Sequence, residues 1–139
     1  MSLQIHLGGW EQQRLRHGIT LRLLEQLPED KLTSHPIANM RTPVELVVHF
    51  HGFMRLAAES VLTGSLGTFD DVGTVASIRT KKQLLDFVKQ QWAAADRAAT
   101  SVTEKQLDGI VTTPWGEFPG RAMIGILYYL GLQGVWFLH

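Results

Sequence analysis

The sequence predicts an all-α domain, a four-helix bundle with a long crossover between the second and third helices. Three observations carry that expectation. Apolar residues recur at helical spacing in separate segments, several opened by capping residues and closed by glycine or proline. No two segments show the alternating pattern of a half-buried strand pair. A polar, glycine-containing stretch from Gly64 to Arg79 separates two helical segments by far more than a tight turn. A length of 139 residues suits one domain with one sizeable core, so residues 1–139 are read as a single unit.

The first helix is expected from about Trp10 to Gln26, bracketed by Gly8-Gly9 and Pro28. Trp10, His17, Leu21 and Leu24 share one face, and Leu15, Ile19 and Leu23 form a second row roughly opposite. Such a helix packs on two sides. The connection from Pro28 to Arg41 is long enough to hold a helical turn around Pro28 to Lys31.

The second helix is the most informative. Thr42 and Glu45 form a capping box, Pro43 occupies the first helical position, and Gly64 suits the left-handed residue beyond the end. Leu46, Phe50, Phe53 and Ala57 then fall on one face, with His49 at its margin beside Leu56. His51 lies about 200° from His49 around the helix, so it reads as an outward or interface histidine. Glu45 precedes His49 by one turn, so their side chains can meet. An imidazole and a carboxylate at an apolar margin suit a metal or proton-transfer site. The same spacing equally describes a core histidine satisfied by its neighbour.

In the crossover, Asp70-Asp71 resembles half a cation site, but reads as a solvated or helix-capping pair. Thr80 and Gln83 form a second capping box and open a third helix that buries Leu84, Val88, Trp92, Ala95, Ala99 and Val102. Thr103 to Gln106 predicts a short capped turn ending at Gly109, followed by a short extended segment around Thr112 to Phe118. The fourth helix runs from about Gly120 to His139. Its stretch from Ala122 to Leu138 carries no charge, which suits a buried bundle member or a subunit contact. At that length, interrupted by Gln133 and three glycines, a membrane span is not expected.

Composition excludes several classes. Thirteen basic and thirteen acidic residues cancel, and the basic ones are scattered, so no electrostatic footprint for nucleic acid exists. The absence of cysteine rules out disulfides, thiolate zinc sites and thiol catalysis by the protein itself. Any sulfur chemistry must use the thiol of a bound small molecule. The start Met1-Ser2-Leu3 lacks the basic and apolar regions of a signal peptide, so a cytoplasmic protein is expected.

The helix pattern, the segment from Arg41 to His49, and the turn Pro114-Trp115-Gly116-Glu117 leading into an apolar last helix resemble the DinB-like family of four-helix bundles. That family includes relatives acting with low-molecular-weight thiols. The resemblance implies a divalent metal, zinc or nickel, held by one histidine of the second helix and two of the fourth at i and i+4, the latter followed by Arg-Gly-Gln. His49 matches the second-helix ligand. In one register His139 matches the last histidine, Val135 stands where the other belongs, and the chain ends where Arg-Gly-Gln would begin. In the other, the two positions fall near Tyr129 and Gln133. The first register implies a site of His49, His139 and Glu45, a set that suits several divalent metals.

Two functions of different kind follow. One is a metal-dependent transferase or isomerase with a small thiol as cosubstrate, a hydrolase being its nearest variant. The other is a non-catalytic bundle that binds a small apolar molecule among Trp10, His17, Phe53, Trp92 and Trp136, or that acts as an interaction module. A homodimer through the apolar last helix is compatible with both.

Overall fold

A computed structural model describes residues 3–33 and 41–128. Helix α1 (Leu3–Gln26) is followed by a single 3-10 turn at Glu29–Lys31, then α2 (Pro43–Thr63), α3 (Asp71–Ser77), α4 (Lys81–Thr100) and α5 (Glu104–Asp108). Strands β1 (Ile110–Thr113) and β2 (Gly116–Pro119) form an antiparallel hairpin, and α6 begins at residue 120 and is described to residue 128. The long helices α1, α2 and α4, with α6 as far as it is described, are the bundle that the sequence predicts.

The helix ends follow from local chemistry. Thr42 caps α2 by accepting the Glu45 backbone N–H, and Gly64 closes it with φ of 82°. The same side-chain-to-backbone exchange is complete in both directions at Thr80 with Gln83 and at Thr103 with Gln106. Each such cap contributes about 1 kcal/mol by satisfying amides that have no partner inside the helix.

The core has two parts that meet along α2. One gathers Leu24, Leu32, Val44, Val47, Val48, Ile78, Leu84 and Val88. The other gathers Trp10, Met54, Ala57, Ala58, Val61, Ala95, Ala98, Ala99 and residues of the hairpin and α6. Alanines on both α2 and α4 permit the close approach of these two helices. His6 ties three elements together: its Nε2–H donates to Ala99 O at 2.8 Å, and Tyr128 donates to the His6 carbonyl at 2.9 Å.

Four expectations change. Helix α1 starts at Leu3 and runs through Gly8-Gly9, whereas the sequence predicts its opening at about Trp10, after those glycines. The most deeply buried row of α2 is Val44, Val47, Val48, His51, Met54 and Ala58, whereas Leu46, Phe50 and Phe53 are only half-buried. Because α2 is apolar around most of its circumference, the smaller side chains take the side facing α4 and the large rings go to the rim. His51 is therefore a core residue, only 5% exposed, and not outward-facing. The crossover contains α3, and the extended segment before α6 is a true strand pair. Among the described residues no helix is long and apolar enough to cross a membrane.

Candidate functional site

Asp70 caps α3 by accepting the Gly73 backbone N–H at 2.9 Å, which starts the short helix at Asp71. That start delivers Asp71 to α2. His49 Nδ1 lies 2.7 Å from Asp71 Oδ2, and both side chains are about two-fifths exposed, at 39% and 38%. A carboxylate accepts only, so Nδ1 carries the proton, and the lone pair of a neutral ring in this tautomer would be on Nε2. No hydrogen bond at Nε2 is formed within the described residues.

His49 and Asp71 border a cleft of about 190 Å³ whose remaining walls include Phe53, Leu56, Leu66, Phe69 and Trp115. Phe53 lies 6.3 Å from the His49 ring and 6.4 Å from the Trp115 ring. Gly52 makes room for this wall, because a Cβ there would collide with the Phe69 ring. The crossover is fixed beside the hairpin by Leu66 N–H donating to Thr112 O and Thr112 N–H donating to Gly64 O, each at 2.9 Å. Asp71 also lines a neighbouring cleft of about 360 Å³ with Arg41, Glu45, Val72 and Val75.

His49 is thus placed at the margin of an apolar cleft, and its carboxylate partner is Asp71. Glu45 lines the adjoining cleft instead. His139, Val135, Tyr129, Gln133 and Trp136 lie outside the described residues, so both fourth-helix registers do too. Among the described residues no three histidine, aspartate or glutamate side chains group as metal ligands. His49 carries the Asp71 carboxylate on one ring nitrogen, the kind of contact that orients a metal-ligating imidazole where one is present.

The aromatic residues expected to line an apolar cavity mostly fill space. His17 stacks on Trp92 with ring centres 4.3 Å apart, and Trp92 stacks on Trp10 at 5.1 Å. Trp10 Nε1–H donates to Asp96 at 2.7 Å, which satisfies the buried indole. Burial lowers the His17 pKa to about 4, helped by His51 and opposed by Asp96. Burial also lowers His51, against a raising effect of its hydrogen bond to Val47 O. Both remain neutral near pH 7, and Phe53 of that set borders a cleft.

Asp71 and Trp115 are the site members that sequence reasoning does not assign. The capping character of Asp70-Asp71 is a signal for a helix start, but nothing local says that this start meets His49. For Trp115 the signal is the Pro-Trp-Gly turn itself.

A family model described as the DinB superfamily matches residues 12–130. No curated protein sequence matches the chain. Among solved structures, a DinB-like protein from Bacillus subtilis is 20% identical, with a TM-score of 0.70 over 88% of this chain and 80% of that one. A mycothiol-dependent maleylpyruvate isomerase is 14% identical, with a TM-score of 0.74 over 97% of this chain and 60% of that one, and a variant of it gives the same values. At these identities the structural matches carry the fold alone.

Proposed function

The chain belongs to the DinB superfamily, and we propose that within it this protein is a divalent-metal-dependent enzyme that uses a low-molecular-weight thiol, as a transferase or isomerase. The observation that supports this reading most is the His49–Asp71 pair at the mouth of an apolar cleft. In this reading His49 Nε2 is a metal ligand, His139 is the second, and Glu45 completes the set or holds a metal-bound water. The chain has no cysteine, so the sulfur belongs to the cosubstrate.

Asp71 holds the His49 ring in one tautomer and one orientation, which fixes Nε2 before anything binds. Phe53, Phe69 and Trp115 line the cleft beside this pair. A bound divalent metal supplies Lewis acidity that favours the thiolate over the thiol.

Ultraviolet absorbance of the thiolate tests the reading without any turnover. A small thiol titrated against the zinc-loaded protein should ionise at lower pH than in buffer, and His49→Ala should abolish the difference. Identical titration curves for both proteins would overturn it.

In the same reading the protein is a homodimer. Besides the uncharged last segment, Leu15 and Ile19 stand 64% and 37% exposed on one side of α1, the second apolar row seen in the sequence. Sedimentation of the full chain decides between dimer and monomer.

A further inference from the structure

Among the described residues, the cleft beside His49 has the His49–Asp71 pair as its polar edge, and its apolar lining includes Phe53, Phe69 and Trp115. Its volume of about 190 Å³ falls below the roughly 300–1,000 Å³ of pockets that enclose a whole ligand. It has room for one ring-sized group of a larger molecule, with the remainder left outside.

Trp115 is 71% exposed, yet its position is set by its neighbours. It sits in the two-residue turn closed by the Thr113–Gly116 pair. Its backbone N–H donates to Thr113 Oγ1 at 3.1 Å, and that hydroxyl donates to Gly116 O at 2.8 Å. Gly116 takes φ of 132°, which an L side chain rarely adopts, so the turn depends on this glycine. The indole inclines at 58° to Phe53, and Phe53 lies within 28° of the His49 plane. A large ring held in water by a rigid turn, its centre 6.4 Å from the Phe53 ring and inclined on it, lacks the burial that usually stabilises tryptophan in a fold.

We propose that Trp115 and Phe53 are specificity residues, two adjoining inclined aromatic walls that select a flat apolar group on the molecule presented to His49. The substrate class is then an aryl or arylalkyl compound, and small polar molecules are poor ligands. This inference rests on the cleft being the reaction site. It adds which molecules enter.

The test uses the full chain and benzyl alcohol, a probe with the ring but no thiol, followed through the Trp115 indole N–H resonance. Glycerol is the polar control. Benzyl alcohol should shift the Trp115 resonance and glycerol should not. Trp115→Ala should weaken benzyl alcohol binding, followed by other cleft resonances, by about tenfold, and Trp115→Phe by less than about threefold, because an aromatic face is retained. Trp115 is largely solvent-exposed, so the variants should keep the circular dichroism of the wild type. Wild-type affinity in Trp115→Ala, or equal binding of glycerol, would overturn the proposal. The two readings fail separately: normal benzyl alcohol binding with no His49-dependent thiol ionisation would remove the proposed chemistry and leave the ring selectivity standing. Thiol ionisation without ring selectivity would do the reverse.

Discussion

His49 of α2 and Asp71 at the start of α3 are joined Nδ1 to Oδ2 at 2.7 Å, across 22 residues of sequence. The contact exists because Asp70 caps α3 and so fixes where Asp71 points. Its exposure means that it contributes little to folding. Pairs of this kind contribute roughly 0–1 kcal/mol. Asp71→Asn should therefore leave the urea midpoint nearly unchanged, while Asp70→Ala, which removes a cap, should cost about 1 kcal/mol. A large loss of stability in Asp71→Asn would show the pair to be structural.

Acid should unfold the protein through His17 and His51. The folded His17 pKa of about 4 lies below the ordinary histidine value of 6.5, so the unfolded chain binds more protons between these values. Stability from this group is complete above pH 6.5, declines as pH falls toward 4, and is flat below that. His51, also lowered, acts in the same direction. Urea midpoints measured across this window should decline less steeply in His17→Gln. Parallel declines in the variant and wild type would contradict the assignment.

Two glycines should respond in opposite directions. Gly8 lies inside α1, and a Cβ added there would meet nothing within 4 Å. Gly8→Ala should stabilise by about 0.5–1 kcal/mol, the helix-propensity difference between the two residues. Gly52→Ala would drive a methyl into Phe69 and should destabilise by about 1–3 kcal/mol. Because Phe69 borders the cleft, it should also weaken benzyl alcohol binding. Thermal melts of both variants give the comparison, and equal shifts of the same sign would refute it.

What the sequence makes legible is chiefly local. Thr42, Thr80 and Thr103 announce helix starts because a cap needs only residues three positions apart. The bundle follows from those starts and from the Leu84–Val88–Ala95–Ala99 stripe. The burial of His51 is hidden because α2 offers two apolar rows, and periodicity gives their angle without saying which row meets α4. Helix α3 is hidden by its weak formers, Gly73 and Thr74, and the hairpin by strands of four residues, one of them exposed throughout. The one-turn rule points to Glu45 as the His49 partner, whereas the observed partner comes from another helix. Spacing within one helix carries no information about such a contact.

Metal affinity by chelator competition is the most direct measurement of the central claim, that His49 oriented by Asp71 is the functional ligand. Wild type, His49→Ala, Asp71→Asn and Val135→His should be compared with zinc and nickel. His49→Ala should lose binding, and Asp71→Asn should weaken it by about 10–100-fold, the effect of removing a carboxylate behind a ligating imidazole. Val135→His should tighten binding by restoring an i,i+4 pair with His139. Equal affinities in wild type, His49→Ala and Asp71→Asn would contradict the account.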